Sequence, residues 1–208
     1  VSKDRSRCLS CGHELSFCDL IPVFSWVIRL GKCRYCKNFI GWTEIILEVA
    51  MAGLFVLSVL FWPGPLMDFW QVLLLALWLS GLVLLAILFV YDLKWLLLPD
   101  VINIPFIILG FIFSIINLAL ANNFTKSLMS LLGSVVILSG IYLLLYLFSK
   151  YRYGEEKTWV GFGDVKLGLG LALFLGNWLL AFAALFAANL IGTLLVLPSM
   201  LKGKLQAT

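Results

Sequence analysis

The chain has 208 residues, of which 62% are hydrophobic and only 12% charged, with a formal net charge of +4. Soluble globular domains run at about 45–50% apolar and about 25% charged, so the composition excludes an ordinary soluble domain and leaves an all-α polytopic membrane protein. The small positive charge is read loop by loop, and it does not point to a nucleic-acid partner.

The first 42 residues form a polar, cysteine-rich loop. Within it Cys8-x2-Cys11 and Cys33-x2-Cys36 are separated by 21 residues, and each knuckle has a small or turn-forming residue after its second thiol. Two such knuckles at this distance predict a four-thiolate zinc site, a zinc-ribbon-like module that folds a segment too small for its own core. A pair of disulfides is the other reading. Cys18 is left over and is expected to be an apolar filler. His13 is expected to be a turn residue, because four thiolates already complete the site.

A membrane helix needs about 20 mostly apolar residues. Such runs lie at 43–62, 70–91, 101–121 and 127–148. The last apolar stretch, 165–201, is too long for one span. Gly176-Asn177 is expected to break it into a short helix at 164–176 and a full one at 178–200. Three divisions follow: a cysteine loop at 1–42, a transmembrane domain at 43–201 and a tail at 202–208.

Lys and Arg orient such a chain. The N-terminal region holds Lys3, Arg5, Arg7, Arg29, Lys32, Arg34 and Lys37. The loop 92–100 holds Lys94, the loop 149–163 holds Lys150, Arg152 and Lys157, and the tail holds Lys202 and Lys204. The alternate connections hold Lys126 alone. Six spans with this asymmetry predict both termini on the cytoplasmic side. That face is reducing, which favours zinc over disulfides in the cysteine loop.

Several carboxylates sit at span ends. Asp100 follows Pro99 and reads as a helix cap, and Asp164 can be read the same way. Glu44 and Glu48 suit the positive end of a helix dipole. Asp92 is harder to explain, since it ends a span where the dipole disfavours negative charge and "LKWLLLPD" follows it. Ionisable groups in such places usually face the bundle interior and mark function. Asp92 and Asp164 belong to one cytoplasmic edge by the charge pattern, and each is followed two residues later by a lysine, Lys94 and Lys166. Two carboxylates converging at one edge suit an aspartic protease, in which the pair shares one proton. Solvated caps are the alternative, with the lysines reaching to the interface. A non-enzymatic zinc-ribbon anchor and an ion-coupled transporter are further alternatives. A transporter would show midplane carboxylates and an internal repeat, and neither is apparent.

Three stretches together resemble the type IV prepilin peptidases, membrane aspartic proteases with a Gly-x-Gly-Asp motif. They are "RCLSCGHELSFCDLIPVFSWVIRLGKCRYCKNFIGWTEIILE", "YDLKWLLLPD" and "GFGDVKLG", in the family's order. The resemblance implies that Asp92 and Asp164 are the catalytic pair. It implies that Gly161 and Gly163 admit the substrate backbone, and that Cys8, Cys11, Cys33 and Cys36 are the family's cysteines. The implied reaction removes the leader of a prepilin or pseudopilin after a glycine, at the cytoplasmic face of a bacterial inner membrane. Many members also methylate the new N-terminus with S-adenosylmethionine, a role tied to the cysteine loop. Family members usually have one more span before that loop and one after the last basic segment. Six of eight spans are therefore expected here, as in a truncated or processed chain.

Overall fold

The computed structural model describes residues 7–8, 10–19, 24–39, 42–154 and 160–201. The side chains of Cys18 and Glu44, the loop residue Lys157 and the tail 202–208 lie outside the described residues. The chain divides into two compact units, Val1–Pro63 and Gly64–Thr208. The described residues are mostly helical, and the two bridge pairs, Arg7 with Glu14 and Lys32 with Phe39, are isolated.

The first unit contains a short helix α1 (Phe24–Ile28) and an apolar helix α2 (Trp42–Leu60). Each bridge pair closes a small hairpin around one Cys-x2-Cys knuckle. Gly31 turns the chain between α1 and the second knuckle at φ +71, and a side chain there would strike Phe39 and Trp26 at 2.9 Å. Trp26 and Phe39 both pack on Trp42, with ring centroids 4.7 and 5.9 Å apart. The Asp19 side chain, 4% exposed, pairs with Arg29, and its carboxylate accepts the Ser16 hydroxyl at 2.8 Å.

The second unit runs α3 (Phe69–Trp95), α4 (Asp100–Leu120), α5 (Phe124–Val135), α6 (Ile141–Tyr153), α7 (Phe162–Leu175) and α8 (Trp178–Leu201). Every expected span is a helix, with ends moved by a few residues. Three helices, α3, α4 and the continuous Phe124–Tyr153, are long and apolar enough to cross a membrane, and Ile45–Leu60 and Trp178–Leu194 are shorter apolar helices. Their outward faces carry exposed large apolar groups such as Phe111, Leu144 and Phe182. Such surface is a liability in water and the normal state in hydrocarbon. The break at Gly176-Asn177 occurs as expected. Gly176 adopts φ +56, its N–H donates to Ala172 at 2.9 Å, and the Asn177 carboxamide accepts the Leu179 N–H at 2.9 Å.

One feature departs from the expected uniform helix. Between α5 and α6 the residues Val136–Gly140 form a π-helical turn. Periodicity does not reveal a single extra residue inside a long apolar run.

The core is built around α7. Its 14 residues reach about 21 Å, short of the about 30 Å of a hydrocarbon layer. Lipid-embedded helices gain little from hydrophobic contact with one another and associate through close packing and hydroxyl bonds. α7 has both. A methyl added at Gly168 would lie 2.1 Å from the Leu138 carbonyl oxygen, and one at Gly170 would lie 2.4 Å from the Phe106 ring. Ser114 of α4 donates to Leu173 O at 2.6 Å, Ser134 of α5 to Ala172 O at 3.1 Å, and Ser139 of the π turn to Val165 O at 3.1 Å. Phe174 stacks on Phe106 at 5.2 Å, with Leu88 of α3 buried beside them.

Gly168→Ala meets backbone that cannot rotate away. Overpacking of this kind costs about 1–3 kcal/mol, so the thermal midpoint in detergent should fall by roughly 3–10 °C. Gly192→Ala, where nothing lies within 4 Å, should not lower it.

Candidate active site

Asp164 stands at the third position of α7, behind the N-cap Gly161. The helix starts two residues earlier than expected, so Asp164 is not itself the N-cap. Its carboxylate reaches back to accept the Gly161 N–H at 3.0 Å, while its own N–H donates to Gly161 O at 3.1 Å. This is the geometry by which an acidic third residue satisfies a free amide at a helix start. One carboxylate oxygen is thereby held by the backbone, and the side chain is half-buried.

Asp92 lies in the last turn of α3, which continues to Trp95. The turn is closed by Leu96, whose N–H donates to Asp92 O at 2.8 Å from a left-handed conformation at φ 50. A non-glycine residue held there stores about 1–2 kcal/mol of strain. The connector Leu96–Pro99 then turns the chain into α4. Asp92 and Asp164 lie within electrostatic reach of each other. Asp92, 72 positions earlier in sequence, is thus a charged neighbour of Asp164.

The Gly-x-Gly-Asp turn is seated on the start of α4. Asn103, fully buried, donates its carboxamide N–H to Gly163 O at 3.2 Å. A methyl at Gly163 would sit 3.0 Å from Leu98 Cβ, so a side chain here would crowd the connector. Gly161 has ordinary φ, and a methyl there would meet the Asp164 carboxylate at 3.4 Å and the Gly163 nitrogen at 3.9 Å, both ordinary contacts. Lys166 places its ammonium 2.7 and 2.8 Å from the two Asp100 oxygens and 5.1 Å from the Phe162 ring centroid. Asp100 is therefore an ion-pair partner and the first residue of α4, with Pro99 as the N-cap, rather than the cap expected from sequence.

Asn103 and the Asp100–Lys166 pair were not singled out from sequence. A lone carboxamide inside the apolar run "VINIPF", three residues after Asp100, is the signal that marks them. The Asn103 side-chain oxygen is buried without a hydrogen-bond partner. An unmet buried acceptor costs about 1–3 kcal/mol, so stability alone does not account for this residue.

A cavity of about 490 Å³ lies elsewhere, lined by Gln71, Asn117, Asn122 and Ser127 at the far end of α7 beside Gly176. It is a whole helix length from Asp164 and is not part of this site.

In the first unit the four expected thiols converge. The sulfurs of Cys8, Cys11, Cys33 and Cys36 all lie within 4.8 Å of one another, with Cys8 and Cys36 at 3.9 Å. All four are free thiols, as a disulfide would require about 2.05 Å. Sulfurs on a tetrahedral ion with bonds of about 2.3 Å lie about 3.8 Å apart, so the cluster fits a metal. The knuckles are near-copies. Gly12 N–H donates to Cys8 O at 2.8 Å and Lys37 N–H to Cys33 O at 3.0 Å, and both residues following the second thiol have positive φ. The amides of Cys11 and Ser10 hold the Cys8 thiol down to about 6. The Asn38 amide favours the Cys36 thiolate too, but desolvation and the thiols of Cys33, Cys11 and Cys8 push it up to about 11. Four thiols this close cannot all ionise without a cation among them. His13 stacks on Tyr35 with centroids 3.6 Å apart and is not part of the sulfur cluster.

Known proteins can now be set beside this geometry. Residues 79–197, which include both aspartates, match the type IV leader peptidase family. The chain belongs to that family. Residues 1–62, which include all four clustered thiols, match the bacterial peptidase A24 N-terminal domain. A Dichelobacter nodosus protein named prepilin leader peptidase/N-methyltransferase is 31% identical over 192 residues, covering 92% of this chain and 62% of that protein. Proteins of the same name from Pectobacterium carotovorum and Vibrio cholerae are 32% and 27% identical, covering 82% and 85% of this chain and 56% and 64% of those proteins. The chain thus spans about three fifths of the length of these curated relatives. No solved structure matches.

The sulfur cluster predicts a simple titration. After chelation the four thiols should react with a disulfide reagent, and one equivalent of Zn²⁺ should protect them together. Independent, additive reactivity in the presence of Zn²⁺ would argue against a shared ion.

Proposed function

We propose that this chain is a membrane aspartic endopeptidase that removes the leader of type IV prepilins or pseudopilins after a glycine, at the cytoplasmic face of a bacterial inner membrane. The observation that carries the reading is the interaction through space of Asp92 and Asp164, with Asp164 oriented by its own helix start. The names of the relatives, prepilin leader peptidase/N-methyltransferase, agree with it.

In this reading the two carboxylates share one proton, as paired acids of an aspartic peptidase do. The ionised carboxylate takes a proton from water as the water attacks the scissile carbonyl. The protonated partner delivers its proton to the departing amide nitrogen. With one Asp164 oxygen committed to the Gly161 amide, the other remains for water. Gly161 leaves its side of the turn free of a side chain where an extended substrate backbone has to approach, and Gly163 lets the turn seat on Leu98 beneath it. A substrate helix must unwind at its cleavage point, and a glycine there is the residue that resists least.

In this reading residues 43–201 form the peptidase domain in the bilayer, and the loop 1–42 and tail 202–208 lie on the cytoplasmic side with both termini. Cys8, Cys11, Cys33 and Cys36 hold a structural zinc ion. It supplies cross-linking, with no open position for chemistry. N-methyltransferase is the second activity in the relatives' name; in this reading it methylates the new N-terminus with S-adenosylmethionine and belongs with the cysteine loop.

The test is incubation of the protein in detergent with a leader-bearing prepilin, read as a mobility shift. Asp92→Asn and Asp164→Asn should each lower the rate by about 1,000-fold or more while leaving thermal stability near that of the parent. Substantial cleavage by either variant refutes the paired-acid mechanism. Ion flux without cleavage would point to a transporter.

A further inference from the structure

Resting on the leader-peptidase reading above, we propose that the first turn of α4 is a two-point clasp that positions Asp164. Asn103 grips the Gly163 carbonyl and Asp100 grips Lys166. Asp100, Asn103 and Lys166 are positioning residues.

Asp100 and Asn103 are three apart on α4, and Gly163 and Lys166 are three apart on α7. Residues so spaced share a helix face. Each pair therefore presents two adjacent grips, and they meet as 103 to 163 and 100 to 166. Asp164 lies between the two gripped positions on α7. The turn cannot pivot about one contact, because the other resists rotation.

The grips differ in kind. The Asn103 side chain is fully buried, and it holds a backbone carbonyl rather than a flexible side chain. The Lys166–Asp100 pair is partly exposed, at 26% and 56%, but both carboxylate oxygens are engaged and the ammonium also sits over Phe162. Leu98 closes the space beneath Gly163. The α3–α4 connector that carries Leu98 begins one turn after Asp92. The two acids are thus tied through a short rigid path, and their separation is set by the clasp rather than by the whole bundle.

A displacement of about 1 Å at a catalytic group can cost about 100-fold in rate. Asn103→Leu, Asp100→Asn and Lys166→Met should each lower kcat by about 10–100-fold with KM within about twofold. Lys166→Arg, which keeps a two-point grip on a carboxylate, should recover most of the rate. The double variant Asp100→Asn/Lys166→Met should be no worse than the poorer single one. Hydrogen exchange on the intact protein in nanodiscs gives a readout without catalysis. Asn103→Leu should speed exchange at the amides of residues 161–166 and leave those of 168–174 unchanged. Additive losses in the double variant, or full kcat in Asn103→Leu while Asp164→Asn is inert, overturn the clasp and leave the peptidase reading standing. If the parent protein cleaves no prepilin, the peptidase reading falls. Exchange then decides the clasp: unchanged rates at 161–166 in Asn103→Leu reject it, and local acceleration supports it.

Discussion

Everything in the second unit depends on how closely α7 approaches its neighbours. Hydrocarbon offers no hydrophobic reward for bringing helices together, so the bundle relies on contact without intervening side chains and on hydroxyls that find carbonyls. Gly168 under the Leu138 carbonyl and Gly170 under the Phe106 ring provide the first. Ser114, Ser134 and Ser139 provide the second, each from a different segment and each to the backbone of α7. A short central helix gripped along its length has little freedom to slide. Its first turn, where Asp164 sits, inherits that rigidity.

The chemistry of such a site sets two demands that conflict. A carboxylate must stay near apolar surroundings to keep a shared proton, yet water and substrate must reach it. Asp164 is half-buried at a helix start and Asp92 lies on an exposed last turn, an arrangement that suits both demands of the proposed peptidase. The strained Leu96 conformation lies between the two acidic segments. Backbone strain of this kind collects at functional sites, where the surrounding fold holds it in place.

Much of this was legible from sequence because the signals were local. Apolar runs of about 20 residues marked the helices, Gly176-Asn177 marked a break, and paired Cys-x2-Cys knuckles marked the sulfur cluster. The two aspartates stood out in the sequence because charge at a span end is unfavourable and therefore rare, and the structure shows Asp164 oriented by its own helix start. What was not legible depends on partners far apart in the chain. Asp100 reads as a cap until Lys166, 66 residues on, is seen beside it. Asn103 reads as a stray polar group until Gly163 meets it. The serines that hold α7 look like ordinary small residues of membrane helices, since nothing in their own neighbourhoods names the carbonyl they will find. The knuckles show the opposite case. Their likeness extends to matching hydrogen bonds and matching positive φ after the second thiol, so spacing alone carried almost all of the local geometry.

The π turn at Val136–Gly140 has a further consequence. A five-residue turn inserts one residue into a helix whose repeat is 3.6, so the stripes of side chains before and after it are out of phase by about 100°. The Phe124–Tyr153 stretch is in effect two helices in series, each with its own lipid-facing side. Ser134 and Ser139 can thus both point at α7, although five steps of an unbroken helix would turn them well apart. One extra residue in the turn is enough to let one helix serve two different levels of the same neighbour.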